Sequence, residues 1–233
     1  MKRLLIYLPI IFLFFSCGTY RYYQPTPTPT LFKNQGELQI SGDLGSSGYS
    51  MKGAYALPKN IGIVGMYNST PFDYRAKEGE IGIGYYTESD PAGIFVLGGL
   101  GFGSNQKYSD STHSYKTYEG DFIRPFIQFN GGIASGNGGS RLKGHVIATL
   151  KSSYLMYDGK HLDGTNDKIH SRYLLIEPGF AAGFGSRVFK FDFIMSMPIH
   201  PTTEQMNDRR NARTYPFTVG FGIRFVMGRN KDD

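Results

Sequence analysis

Asp158, Asp163, Asp167 and His170 fall close together in the chain, around the polar stretch Asp158-Gly159-Lys160-His161-Leu162-Asp163-Gly164-Thr165-Asn166-Asp167. An Asp–His pair can draw a proton from water, so a loop-borne hydrolase is the first chemistry to weigh. The same oxygens would suit calcium. The ordered Asp-x-Asp-x-Asp-Gly spacing and its closing bidentate Glu are missing, however. Gly, Asn and Asp are also ordinary loop-tip residues, and that reading is preferred. The remaining histidines are scattered, with His113 and His200 in polar stretches and His145 in an alternating one. Gly98-Gly99-Leu100-Gly101-Phe102-Gly103 has the glycine density of a phosphate loop, but it lies within a strand pattern and no helix follows. Cys17 is the only cysteine, which excludes an internal disulfide framework and any Cys-based zinc site. No catalytic constellation, metal set or cofactor motif emerges, and the chain is not expected to be an enzyme.

The elements that would carry these residues are strands. From Gly36 onward the hydrophobic period is two, and no amphipathic helix is apparent. Phe217, Val219, Phe221, Ile223 and Phe225 share one face, against Thr218, Gly220, Gly222 and Arg224 on the other. Phe189, Phe191, Phe193, Met195 and Met197 repeat the pattern, as do Leu174, Ile176, Pro178, Phe180, Ala182 and Phe184. Weaker versions run at 36–46, 49–57, 60–68, 79–88, 93–103, 122–134 and 142–156, which predicts ten strands. Short turns near 58–60, 89–92, 135–139 and 185–186 alternate with longer polar loops near 69–78, 104–121, 157–170 and 199–214. Only the hairpin at 45–48 is tight on the long-loop side. This is the arrangement of an all-β, closed, antiparallel up-and-down transmembrane barrel with its short turns in the periplasm.

Periodicity alone does not say which face points outward. The face opposite the aromatics is rich in glycine and carries Asp43, Lys52, Glu80, Arg124, Lys143, Lys151, Glu177, Lys190, Asp192 and Arg224. Glycines and charges of both signs suit a crowded lumen, so these ten residues are expected to form an interior ion network. Ten strands leave little more room than the eight whose interior side chains fill. A plugged lumen is therefore preferred over a narrow pore. The chain has 25 Lys+Arg against 19 Asp+Glu, thinly spread, with no basic cluster of the kind that nucleic-acid binding requires.

The amino terminus reads as an address. Lys2 and Arg3 precede an apolar run from Leu4 to Phe15 that is too short to span a bilayer, as in a secretory signal. Phe14-Phe15-Ser16-Cys17-Gly18 resembles the lipobox of bacterial lipoproteins, with Phe14 where Leu is usual. The resemblance implies cleavage after Ser16 and acylation of Cys17. Residues 17–35 then form a Pro/Thr-rich tether, in which Pro25, Pro27 and Pro29 favour extended backbone. A dozen such residues would span ~35–40 Å. No acidic cluster follows Cys17 of the kind that resembles a surface-export signal, so periplasmic-face anchorage is expected.

The whole folded part resembles the small β-barrel outer-membrane lipoproteins of Bacteroidota. The residues concerned are Leu31-Phe32-Lys33-Asn34-Gln35-Gly36-Glu37-Leu38-Gln39, Gly53-Ala54-Tyr55-Ala56-Leu57 with Asn60-Ile61-Gly62, and Gly220-Phe221-Gly222-Ile223-Arg224-Phe225. Many barrels end on their aromatic, whereas here Val226 to Asp233 follow. The implied organisation is a signal peptide over 1–16, the lipidated tether over 17–35, a barrel over 36–227 and a polar tail over 228–233. The implied partners are outer-membrane lipids and other envelope proteins met through the loops or the tether, with no nucleic acid and no cofactor. Two function classes follow: a structural or accessory barrel, and a narrow porin-like channel or small-ligand barrel. An outer-membrane hydrolase is the third. No His is followed two positions later by Ser, as it is in barrel-type lipid A deacylases, and an omptin-like Asp–His pair would have to come from the 158–170 stretch.

Overall fold

The computed structural model describes residues 25–71, 74–88, 91–108, 116–134, 143–162, 168–199 and 217–228. Ten strands follow one another: β1 (Leu38–Gly45), β2 (Gly48–Leu57), β3 (Ile61–Pro71), β4 (Tyr74–Tyr86), β5 (Ala92–Tyr108), β6 (Lys116–Ala134), β7 (Lys143–His161), β8 (Lys168–Gly185), β9 (Phe189–Ser196) and β10 (Thr218–Met227). Each pairs antiparallel with its sequence neighbour, and β1 pairs with β10 from Leu38↔Met227 to Gly45↔Gly220, so the sheet closes on itself. Every strand thus has two neighbours, although β9 covers β8 only from Gly179↔Ser196 to Gly185↔Lys190. The connections before β3, β5, β7 and β9 fall at one end, with the start of β1 and the end of β10. This end is the short-turn rim, and the opposite one is the long-loop rim.

The wall is uneven. β6 and β7 have 19 residues each, whereas β1 and β9 have 8. With a rise of ~3.3 Å and a tilt near 45°, β7 spans ~45 Å along the axis and β1 only ~19 Å. The strands on the tall side run further than their hydrophobic alternation suggests. Residues 104–108, 116–121, 157–161 and 168–170, expected in long loops, are paired strand. Ladder hydrogen bonds continue there although the outward residues have turned polar. Asp158, His161 and His170 accordingly stand on strands. Asp163, Asp167, His113 and His200 lie outside the described residues.

The aromatic face points out. Phe221, Phe184, Ile127, Leu44 and Met51 are each more than 60% exposed, in a belt that all ten strands share. The interior holds two apolar clusters besides its polar groups. One, towards the short-turn rim, includes Phe32, Ala56, Val64, Tyr86, Phe95, Leu97 and Ile194. The other gathers Tyr118, Phe122, Leu155, Tyr157, Tyr173 and Leu175 inside the tall wall.

Candidate functional site in the barrel lumen

Eight of the ten charges expected inside are buried there: Asp43, Lys52, Glu80, Arg124, Lys151, Glu177, Asp192 and Arg224. Lys143 and Lys190 are half-buried near the short-turn rim. The eight sort into three groups rather than one network. Arg124, on β6, is fully buried and is the hub of the largest. Its Nη1 donates to Glu177 at 2.8 Å and its Nη2 to Glu78 at 2.7 Å and to Glu80. Lys151 from β7 pairs with Glu80 and sits 4.2 Å from the centre of the Phe126 ring. Ser153 donates to Glu177 at 3.0 Å. Three carboxylates thus face two cations in a space without bulk water, where each charge depends on its partners.

The sequence pattern does not single out Glu78, because the hydrophobic alternation of β4 fades before Gly79. Period two places it on the same face as Glu80, and that was the signal available. The second group joins β9 and β10, where Arg224 donates from Nε to Asp192 at 2.7 Å. His145 Nε2 lies 3.0 Å from the other oxygen of Asp192. In the third, Lys52 stands 2.5 Å from Asp43, which also accepts from Ser50 at 2.9 Å.

Residues 25–32 occupy the rest of the lumen. The sequence reading makes them part of an external tether; the structure buries every one of them inside the barrel. Proline and threonine in extended backbone make few hydrogen bonds among themselves, so their carbonyls need donors from elsewhere. The barrel wall supplies these. Lys52 Nζ donates to Thr26 Oγ1 at 2.8 Å and to the Pro27 carbonyl at 3.0 Å. Gln128 and Asn130 donate to the Thr28 carbonyl at 2.9 and 3.1 Å, and Asn130 also reaches the Thr30 carbonyl. Gln39 donates to the Leu31 carbonyl at 2.7 Å.

Phe32 anchors the segment at the short-turn rim. Its ring lies 4.9 Å from that of Tyr86 and 5.3 Å from that of Phe95. It fits because Gly62 has no side chain: a Cβ there would stand 2.6 Å from the Phe32 ring and 2.8 Å from that of Phe95. Gly36, at φ +80°, then reverses the chain into β1. Its N–H donates to the Ala56 carbonyl at 2.8 Å. The lumen is filled by a segment of its own chain, cut to fit glycines in its wall.

A smaller polar group lies at the long-loop rim. Asp158 Oδ1 is 2.6 Å from His170 Nδ1, and Arg172 Nη2 donates to Asp158 Oδ2 at 2.9 Å. Hydrogen bonds from His170 and then Arg172 hold the Asp158 carboxyl below its ordinary range. All three side chains are solvent-exposed. An Asp–His pair therefore exists, as the spacing suggested, and it is shared with an arginine. No group of three or more potential metal ligands occurs among the described residues. Cys17 lies outside them.

No protein-family model matches this chain, and no curated protein matches it in sequence. Among solved structures it is similar to the N-terminal β-barrel domain of Pseudomonas aeruginosa OprF, at 12% identity over 83% of this chain and 98% of that one, with a TM-score of 0.37. It is also similar to the outer-membrane expressed OmpT of Vibrio cholerae, at 9% identity over 85% and 100% of the two chains, with a TM-score of 0.18.

Proposed function

We propose that this protein is an outer-membrane β-barrel lipoprotein of the Bacteroidota type, anchored through acylated Cys17, whose plugged lumen makes it a structural or accessory element of the envelope and not a conduit. The observation that carries this reading is the interior itself, where residues 25–32 and the Arg124 group occupy the space a pore would need. The membrane part rests on the outer surface. A belt of Ile, Leu, Val and aromatic side chains around a closed sheet has no stable place in water, and a bilayer would cover it.

Partners would then meet the protein at its rims, where the tall wall of β5–β8 rises beyond the apolar belt. The exposed Asp158, Lys160, His170 and Arg172 are part of that surface. The Asp158 side chain is shared between His170 and Arg172 and all three are solvent-exposed, which suits a solvated ion pair better than a hydrolase. Reconstitution into planar lipid bilayers tests the reading. The wild type should show no steady conductance. Discrete, reproducible openings absent from mock-purified material would move the protein into the narrow-channel class.

A further inference from the structure

The lumen segment has a direction, and its direction constrains the chain that precedes it. Phe32 packs on Tyr86 and Phe95, both at the short-turn ends of their strands. Going back towards the amino terminus, the contacts climb. The Thr30 and Thr28 carbonyls meet Asn130 and then Gln128, stepping up β6 away from that rim. Pro27 lies against Gly179, where a Cβ would stand 3.1 Å from the proline Cγ. Thr26 lies against Gly220, where a Cβ would stand 3.2 Å from the threonine Cγ2. Gly220 is two residues from Thr218, the long-loop end of β10. The segment therefore descends the lumen from the long-loop side and turns at the short-turn rim into β1.

From Pro25 the near opening is the long-loop rim. β9, β10, β1 and β2 form the low wall, and Thr26 is ~7 Å below its top, two strand residues at ~3.3 Å each. The way back is filled. The void beside the segment, lined by Thr28, Thr30, Gln39, Lys52 and Arg224, holds about 10 Å³, room for a water and not for a second backbone. The opposite face would also lie across an apolar band ~25 Å tall. Residues 17–24, fully extended at ~3.3 Å each, reach ~25 Å, ample for the near rim.

We propose that the chain before Pro25 leaves the barrel at the long-loop rim, so that acylated Cys17 is held on the outer face of the membrane and residues 18–24 are displayed there. This is opposite to the periplasmic-face anchorage expected from the sequence, and it rests on the acylation and outer-membrane readings above. Plug and anchor strap are then one continuous segment. The barrel itself carries the lipid to the surface, with no acidic export signal after the cysteine.

Cysteine labelling in intact cells tests the route in the full-length protein. Tyr20→Cys and Arg21→Cys are each treated with a membrane-impermeant biotin–maleimide, with wild type as the Cys17 background. Lys168→Cys, exposed at the long-loop rim, and Arg187→Cys, exposed in a short turn, mark the two sides. A heat-dependent gel shift confirms that each variant is folded. Tyr20→Cys and Arg21→Cys should label in intact cells to the level of Lys168→Cys and several-fold above Arg187→Cys, which should label only after permeabilisation. Labelling that follows Arg187→Cys, or that appears only after boiling, would overturn the proposal. Fatty-acid incorporation on the same samples separates the two readings. Acylated protein with the Arg187 pattern overturns the route alone, and unacylated protein with the Lys168 pattern overturns the anchor and keeps the route.

Discussion

Replacing Arg124 by Met removes one guanidinium from among Glu78, Glu80 and Glu177 and leaves a side chain of similar length. The three carboxylates then share Lys151, which pairs with Glu80. Removing one partner of a buried ion pair costs ~3–5 kcal/mol, because the other is left desolvated without compensation. Arg124 holds three acceptors at once, so ~4 kcal/mol is expected. At a slope of ~2 kcal/mol per molar urea, that lowers the unfolding midpoint by ~2 M. Glu177→Gln should cost less, ~1–2 kcal/mol, since a charge-assisted bond becomes a neutral one and Arg124 keeps Glu78 and Glu80. In the double variant the Glu177 charge is no longer orphaned, so the two losses should fall short of additivity by ~1–2 kcal/mol. Urea titration of the folded barrel in detergent, followed by the heat-dependent gel shift, measures all three. An Arg124→Met effect below ~0.5 kcal/mol, or strict additivity, would refute the reasoning that this group is a mutually dependent unit.

The outward face gives a second expectation. Phe221→Arg places a cation in the apolar belt and should cost ~2–4 kcal/mol in lipid, whereas Thr218→Ser, which keeps a hydroxyl beside Ser196, should stay under ~1 kcal/mol; the opposite ranking in a lipid-vesicle unfolding titration would mean the faces are inverted. At the rim, Asp158 should titrate below an ordinary aspartate. Its lowered folded-state pKa means that its stabilising contribution is present above the unfolded value near ~3.9 and is lost as pH falls through the folded one. On so exposed a group that contribution should be ~0.5 kcal/mol or less, so Asp158→Asn should abolish this residue's titration seen by NMR and lower stability at neutral pH by no more than that amount.

The barrel was legible in the sequence because a closed sheet with an apolar outer face imposes a strict rule on its strands. Phe221, Ile223 and Phe225 must all face out, so period two survives wherever the wall crosses the apolar belt. Beyond the belt the rule lapses. Arg75–Glu78 and Tyr118–Asp121 keep their strand pairing although outward residues such as Arg75, Lys77 and Asp121 are charged, and pattern alone assigns them to loops. Glu78 therefore lies outside the readable pattern of β4 and Glu80 within it. The lumen segment failed for another reason. Pro25 to Thr30 is extended whether water or a barrel wall satisfies its carbonyls, so its composition is that of a tether either way. Its destination is written in Lys52, Gln128 and Asn130 on distant strands, and in Leu31 and Phe32, whose apolar side chains an exposed tether would have no reason to carry.

The central claim, that the chain's own amino-terminal segment fills the lumen, is tested most directly by locking it there. A Cβ built at Gly220 stands 3.2 Å from Thr26 Cγ2, so cysteines at the two positions fall within disulfide reach. With Cys17→Ala making them the sole thiols, Thr26→Cys with Gly220→Cys should oxidise in the folded barrel to an intramolecular disulfide. The product should run as a faster band on boiled, non-reducing gels and return to the linear position on reduction. Two thiols that both stay free and react with maleimide in the folded protein under the same oxidant would contradict the account.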